Sequence, residues 1–312
     1  MDDFDKTALH FSETALDSTF ADLTGDANQL TPYLVIVSGK DQGRSFALTA
    51  ARTSFGRSED AEIVLADPRV SRQHGALLVE GDRVELLDLD STNGCYVDGI
   101  KVERVPIDPN ARIRVGSTVM KVEFKLASEI DAENRLYEAA TTDPLTGLLN
   151  RRAFVERAEQ EIGRSRRKGK PISLVMCDVD HFKRINDDFG HPAGDLVLKD
   201  LATILQSQVR IDDLLARFGG EEFVLLLRNT TAEVAGEFAE RMRVTVESHR
   251  FMFDDKLVAV TLSMGIKCGG MGSASLEALI HGADTALYQA KEAGRNRVVN
   301  ADARRVAPPD NS

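Results

Sequence analysis

The sequence predicts two domains in tandem, an all-β sandwich followed by an α+β domain. Three observations carry that prediction. From Tyr33 to Phe124, short apolar runs alternate with turn residues at close spacing. From about residue 143, helical patterns alternate with apolar strands. Between the two, residues 126–141 are charged and helically periodic. A length of 312 residues accommodates two ordinary domains and a linker.

The first strand is predicted at Tyr33–Val37, followed by the turn Lys40-Asp41-Gln42-Gly43 and a second run at Arg44–Leu48. Further runs lie at Ile63–Leu65, Gly75–Glu80, Val84–Asp88, Arg112–Val115 and Val119–Phe124, with turns at Asp67-Pro68 and Asn93-Gly94. This spacing reads as a sandwich of about 90 residues. In residues 126–141, Leu126, Ile130, Tyr137 and Ala140 fall near helical spacing, and Pro144 marks a stop. Such a helix is about 24 Å long and suits a rigid connector.

In the second domain, Arg151–Arg167 reads as a helix and Ile172–Cys177 as an apolar strand. Asp195–Val209 reads as a helix with Leu198, Leu201 and Leu205 on one face. Leu214–Phe218 and Phe223–Leu227 flank Gly219-Gly220 as a hairpin. A helix near 231–248, a strand near 257–267 and a helix near 276–293 follow.

Chemistry gathers at a few positions. Asp178 and Asp180 end an apolar strand, and Glu221 and Glu222 sit at a hairpin tip. If those strands are sheet neighbours, the four carboxylates converge. Carboxylate oxygens shared with phosphates suit Mg²⁺, and two such ions can activate a hydroxyl and stabilise pyrophosphate. Lys183, and Lys291 with Arg295 on one helix face at i, i+4, offer cations for a triphosphate. Asn186 and Asp195 offer groups that pair with a purine edge. Gly219-Gly220 allows a tight turn and close backbone approach. Each feature alone is commonplace: a solvated acid pair, a hairpin, a charged helix face. Their co-occurrence carries the weight.

Taken in order, the motifs resemble the GGDEF family over residues 142–300. They are Asp143-Pro144-Leu145-Thr146-Gly147-Leu148-Leu149-Asn150-Arg151-Arg152, then Asp178-Val179-Asp180-His181-Phe182-Lys183-Arg184-Ile185-Asn186-Asp187. Gly190-His191, Gly194-Asp195, Arg217-Phe218-Gly219-Gly220-Glu221-Glu222-Phe223 and Lys291-Glu292-Ala293-Gly294-Arg295-Asn296 complete the set. The resemblance implies a palm-type, nucleotidyl-cyclase-like α+β fold and diguanylate cyclase activity. Two GTP would condense to cyclic di-GMP and two pyrophosphates at a homodimer interface.

On this resemblance Asp178, the Val179 carbonyl and Glu222 hold Mg²⁺ or Mn²⁺, and Glu221 assists deprotonation of the ribose 3′-hydroxyl or binds a second metal. Catalysis thus falls to Asp178, Glu221 and Glu222. Asn186 and Asp195 read guanine, Lys183, Lys291 and Arg295 bind phosphates, and Phe182, His191, Gly219 and Gly220 complete the substrate site. The aspartate at 195 suits the N1–H and N2 donors of guanine. Arg210-Ile211-Asp212-Asp213 resembles the family's inhibitory product site, with Arg241 as its secondary arginine. The alternative is a non-catalytic receptor for cyclic di-GMP or GTP. Such receptors usually lose signature acids or phosphate-binding cations, and this chain keeps both.

In the β-rich domain, Gly56-Arg57-Ser58, Ser71-Arg72-Gln73-His74 and Ser91-Thr92-Asn93-Gly94 fall in loops. Arginines with hydroxyl and amide donors on clustered loops make a phosphate-binding surface. The pattern resembles the forkhead-associated (FHA) domain over residues 31–125. That resemblance implies phosphothreonine recognition by Arg57, Ser71, Arg72 and Asn93, with Thr92 nearby and His74 supporting the loops.

Residues 1–30 carry seven acids against Lys6, over half of the net charge of −11. They are expected to form a mostly disordered arm. FHA domains often read the third residue after the phosphothreonine, and some prefer aspartate. Thr14 precedes Asp17 and Thr19 precedes Asp22 by that interval, which makes Thr14 and Thr19 candidate phosphosites for docking on the chain's own FHA domain or on a partner. The expected organisation is thus the arm over 1–30, the FHA domain over 31–125, a helical linker over 126–141, the GGDEF domain over 142–300 and a disordered tail over 301–312. Net acidity argues against nucleic acid, no apolar run reaches a membrane span, and no signal peptide pattern opens the chain. A cytoplasmic address is expected. Three scattered cysteines imply neither a disulfide framework nor a zinc site.

Overall fold

The computed structural model describes residues 30–109, 111–269 and 275–302. Thr14, Thr19 and the rest of the expected arm through residue 29 lie outside the described residues, as does the tail from residue 303. The chain forms two compact units, Met1–Leu136 and Tyr137–Ser312.

The first unit is a β-sandwich. Its strands are β1 (Thr31–Ser38), β2 (Ser45–Ala47), β3 (Arg52–Gly56), β4 (Ile63–Val64), β5 (Gly75–Glu80), β6 (Arg83–Asp88), β7 (Cys95–Val97), β8 (Ile100–Val102), β9 (Arg104–Pro106), β10 (Ile113–Val115) and β11 (Thr118–Lys125). One sheet runs β2-β1-β11-β10-β7-β8 and the other β4-β3-β5-β6-β9. Leu34, Ile36, Ile113 and Met120 from the first sheet meet Phe55, Leu77 and Leu86 from the second in one core. The sequence expectation lacked β3 and β7–β9. β3 is a five-residue run that ends in Gly56 and β7–β9 are three-residue pieces, all too brief to display a period of two. Helix α1 (Ala127–Thr141) follows, and Ile130 is its one buried side chain. The Asn134 carboxamide exchanges two 3.1 Å bonds with the Ser45 backbone.

The second unit continues with α2 (Arg151–Lys168), β12 (Ile172–Val179), α3 (Phe182–Phe189), α4 (His191–Gln208), β13 (Leu214–Gly219), β14 (Glu222–Arg228) and α5 (Ala232–Ser248). It ends with β15 (Phe251–Phe253), β16 (Lys256–Val258), β17 (Leu262–Gly269), α6 (Leu276–Glu292) and β18 (Val298–Asn300). Five strands form a sheet in the order β13-β14-β12-β17-β18. All neighbours are antiparallel except β17 and β18. Phe154 of α2 and Leu287 of α6 cover one face, and Val197 of α4 and Met242 of α5 cover the other. Central β12 is buried at all eight positions, which is why it reads as an unbroken apolar run.

Three sequence expectations are corrected. The helix expected from Asp195 starts at His191, and a separate helix α3 precedes it. Only eight residues long, α3 shows too little periodicity to be read. The strand expected near 257–267 is two: β16 pairs with β15 around Asp254 and Asp255, both with positive φ, and β17 begins at Leu262. Finally, α6 stops at Glu292, so Lys291 and Arg295 do not share a helix face. Gly294 (φ 111) breaks the helix, and Arg295 N–H returns 3.0 Å to the Ala290 carbonyl.

Candidate functional sites

The end of β12 places Asp178 in register with Glu222 of β14 on one side and Ser263 of β17 on the other. Val179 N–H donates to the Glu221 carbonyl at 3.3 Å, tying the strand end to the hairpin tip. The tip itself is a bulged turn: the register shifts between Arg217 and Gly219, and Gly220 has φ 40. Arg217 braces it. Its Nε donates to the Gly220 carbonyl at 2.9 Å, and its Nη1 lies 3.1 Å from Asp143 Oδ1. The Asp-Pro-Leu-Thr segment is thereby coupled to the Gly-Gly turn, a link that sequence spacing did not reveal.

Asp178 is 6% exposed. Burial pushes its carboxyl from 3.8 up to about 6, with Glu221 and Glu222 adding to the rise and Lys291 opposing it. Lys291 Nζ lies 2.7 Å from Asp178 Oδ2. This reach depends on how closely α6 lies on β17. A Cβ on Gly265 would fall 2.1 Å from the Ala283 carbonyl oxygen, so only glycine permits the approach.

The convergence of four carboxylates is corrected to three. Asp180 does not join Asp178, Glu221 and Glu222. Its buried carboxylate accepts from the Thr261 hydroxyl (2.8 Å), the Ser263 hydroxyl (2.6 Å) and Asn296 N–H (3.0 Å).

Helices α3 and α4 carry the residues assigned to the base. A Cβ on Gly194 would lie 2.1 Å from Asn186 Oδ1 and 3.0 Å from the Phe182 ring, so both side chains rest on the α4 backbone beside Asp195. Asp195, His191 and Lys183 are exposed. At the turn before β13, Asp213 accepts from the backbone N–H of Arg210 (3.2 Å) and of Arg228 (3.0 Å). Arg241 lies over the Phe238 ring at 5.2 Å.

In the first unit, Arg57, Ser71, Arg72 and Thr92 line a cleft of about 650 Å³, together with Ser58, Asp60, Gln73 and Asp90. Gly56 brings the loops together, since a Cβ there would sit 2.0 Å from the Arg72 carbonyl oxygen. Ser71 Oγ accepts from Thr92 N–H at 3.0 Å, and Asn93 Nδ2 donates to the Arg69 carbonyl at 2.6 Å. His74 is fully buried, and burial holds its pKa below the ordinary range. The neutral ring accepts from Ser71 N–H at 2.9 Å and faces the Gly94 carbonyl at 3.4 Å. Ligand atoms of His74, Asp88 and Cys95 lie within 4.8 Å of one another. Asp88 is already occupied by Ser91 and Cys95 backbone N–H groups, so the trio serves the loops.

The sequence model for the diguanylate cyclase GGDEF domain matches residues 140–297, half of the chain. The chain belongs to the GGDEF family. A second match covers residues 35–125, to the cytoplasmic domain of an inner membrane component of type III secretion, and marks the first unit as FHA-like. The GGDEF domain is similar to diguanylate cyclase DgcP of Pseudomonas aeruginosa, 49% identical over 52% of this chain and 24% of DgcP. It is also similar to the response regulator PleD of Caulobacter vibrioides, 39% identical over 62% of this chain and 43% of PleD. The chain thus spans less than half the length of these curated relatives. Among solved structures, the coiled coil and GGDEF domain of DgcB from Caulobacter crescentus, in complex with c-di-GMP, matches 55% of this chain and 92% of that one, at 32% identity and TM-score 0.53. Diguanylate cyclase SiaD from Pseudomonas aeruginosa, in complex with its activator SiaC, matches 55% of this chain and 66% of that one, at 40% identity and TM-score 0.50. Among the described residues, no helix of this GGDEF protein is long and apolar enough to cross a membrane.

Proposed function

We propose that the chain is a diguanylate cyclase that condenses two GTP into cyclic di-GMP, with an FHA-like domain that binds phosphothreonine. The observation that carries the first half is the cluster of Asp178, Glu221 and Glu222 at one strand end, next to Lys291.

The donor set fits a divalent cation. Three carboxylates crowd a site where burial already disfavours the ionised form of Asp178, and oxygen ligands are what Mg²⁺ or Mn²⁺ takes. Asp178, Glu222 and the Val179 carbonyl would hold it. Bound there, the metal supplies charge stabilisation to the α-phosphate and the departing pyrophosphate.

The protein's own groups do the rest. Asn186 and Asp195 orient guanine, with Phe182 and His191 beside them. Gly219 and Gly220 let the backbone approach the phosphates. Lys183, Lys291 and Arg295 neutralise the triphosphate. Glu221 takes the proton from the ribose 3′-hydroxyl, whose oxygen attacks the α-phosphate of the opposite GTP. One P–O bond forms and one breaks, with loss of pyrophosphate. A second, symmetric attack closes the ring. Each subunit holds one GTP, so two GGDEF domains must face each other.

Arg57, Ser71, Arg72 and Asn93, with Thr92 alongside, form the phosphothreonine site. Ligands are the chain's own arm, phosphorylated at Thr14 or Thr19, or another protein. Phosphorylation adds about −1.5 to −2 charges, matched by the arginines. Docking controls cyclase pairing. Arg210, Asp213 and Arg241 form a product-inhibition site, and the turn geometry that holds Asp213 against Arg210 N–H supports this placement. A cytoplasmic location follows from the substrates.

Incubation of the full chain with GTP and Mg²⁺ at several protein concentrations tests the enzyme reading. The expected result is cyclic di-GMP and pyrophosphate in a 1:2 ratio, with specific activity rising with protein concentration. Binding of GTP without product at any concentration or phosphorylation state would point to a receptor. Titrating the chain with phosphorylated and plain peptides spanning Ser12–Leu23 tests the FHA reading, and equal affinities would remove it.

A further inference from the structure

We propose that Asp180 is a positioning residue for the phosphate end of the GGDEF site: its buried carboxylate holds the turn Gly294–Arg297 in a conformation that presents Arg295. The inference rests on the reading that Arg295 binds the triphosphate.

Sequence alone puts Asp180 among the metal-site acids, two residues from Asp178. Its environment is different. Asp180 is 5% exposed, and its two oxygens accept the three hydrogen bonds from Thr261, Ser263 and Asn296. Its own N–H donates to the Thr261 carbonyl at 3.0 Å. The side chain therefore joins three chain segments: the end of β12, the start of β17 and the turn after α6.

That turn needs holding. Gly294, Arg295 and Asn296 have φ of 111, 63 and 45 in succession. Two consecutive non-glycine residues in the left-handed region are unfavourable for L-amino acids and persist only where the surroundings impose them. Around Asn296 the surroundings do so from two sides. Asp180 Oδ2 takes its backbone N–H at 3.0 Å. On α5, Arg243 Nη1 donates to Asn296 Oδ1 at 2.7 Å, and Glu247 Oε1 accepts from Asn296 Nδ2 at 2.7 Å. Met264 N–H then captures the Arg297 carbonyl at 2.9 Å as the chain enters β18. Arg295 is the residue between the helix stop and this anchored asparagine. Its direction is set by both.

Asp180 touches neither the three-carboxylate cluster nor, on this account, the substrate. It acts through Asn296 on Arg295. The sequence distance of 116 residues between Asp180 and Asn296 is bridged only because β12 and β17 are neighbours.

A double-mutant cycle on the full chain tests this, with a non-reacting GTP analogue and Mg²⁺ in a calorimetric titration. Asp180→Ala leaves Asn296 N–H without its acceptor. It is expected to weaken analogue binding by about tenfold, the loss of a charge-assisted hydrogen bond. Combined with Arg295→Ala it should add almost nothing beyond Arg295→Ala alone. A role confined to general stability would instead give additive losses. Arg243→Gln removes the Arg243 bond to Asn296 Oδ1, one of its two bonds to α5, without touching the sheet, and keeps the test open if Asp180→Ala does not fold. It should weaken binding in the same non-additive way. Wild-type affinity in Arg295→Ala would overturn the phosphate reading and the inference together. Impaired binding in Arg295→Ala together with additive losses, or with wild-type affinity in Asp180→Ala (in Arg243→Gln where Asp180→Ala does not fold), would overturn the inference alone.

Discussion

Lys291 Nζ stands 2.7 Å from Asp178 Oδ2, so a cation from the end of α6 meets the buried carboxylate at the end of β12. Lys291 opposes the burial that pushes Asp178 up to about 6. Lys291→Met removes the opposing charge. If Asp178 must ionise to hold the metal as proposed, the acidic limb of the pH–rate profile is expected to move to higher pH. On the proposed phosphate role of Lys291 the rate itself should also fall. An acidic limb at the wild-type position in this variant would refute the coupling.

The same shift predicts a pH-dependent stability in metal-free protein. The folded state holds the Asp178 proton more tightly than the unfolded state, whose carboxyl titrates near 3.8. The favourable contribution is complete below that pH and is lost as pH rises through about 6. Asp178→Asn abolishes this titration. Its melting temperature in chelator should gain on the wild type between pH 4 and 7, by at most about 3 kcal/mol of stability, while cyclase activity falls on the order of 10³-fold or more. A pH-independent difference in melting temperature would contradict the assignment.

Arg217 couples the Gly-Gly turn to Asp143, and both side chains are less than one-fifth exposed. Burial pushes the Asp143 carboxyl up, yet Thr146 and Arg217 outweigh it and hold it below its ordinary range. Arg217→Ala is expected to cost about 1–3 kcal/mol in denaturant unfolding, because a half-buried carboxylate loses its partner. Activity should fall further than stability explains, since the turn bearing Glu221 and Glu222 loses its brace. Full activity in a destabilised Arg217→Ala protein would show the brace to be irrelevant to the site.

Gly265→Ala inserts a methyl where the Ala283 carbonyl oxygen and Leu287 nitrogen already stand, 2.1 and 2.2 Å from the new Cβ. Overpacking of this kind costs about 1–3 kcal/mol. Because α6 must lift, Lys291 should withdraw from Asp178, and Mg²⁺-dependent GTP affinity should drop with it. An unchanged melting temperature would show that the helix does not press on β17 as described.

In the FHA-like unit, His74→Ala strips the acceptor from Ser71 N–H and the neighbour of the Gly94 carbonyl. The expected cost is about 1–3 kcal/mol, with weakened phosphopeptide binding although His74 does not line the cleft. The comparison with Ser71→Ala separates the effects: that variant should lose affinity at nearly wild-type stability. Wild-type affinity of both variants for a phosphothreonine peptide would count against the site.

The alternation of apolar runs and turns, the unbroken β12 strand and the ordered motifs were legible as soon as the residues were written out, because side-chain periodicity and turn chemistry are local properties. That Asp178, Glu221, Glu222 and Lys291 are candidates for one site was legible for the same reason, since each sits inside a contiguous motif, and the structure brings them close together. Roles that depend on long-range neighbours were not. Asp178 and Asp180 look equivalent in sequence, yet one faces a hairpin of acids and the other is consumed by Thr261, Ser263 and Asn296. Lys291 and Arg295 look like one helical face until Gly294 ends the helix between them. Helical spacing cannot announce where a left-handed residue will be tolerated, since that is decided by the partners that hold it. Composition and pattern therefore established an all-β domain followed by an α+β domain. Which carboxylate stays beside the Glu221–Glu222 hairpin and which is spent as a strut was settled only by strands β14, β12 and β17 lying side by side, because hydrogen-bond partners more than 80 residues away decide it.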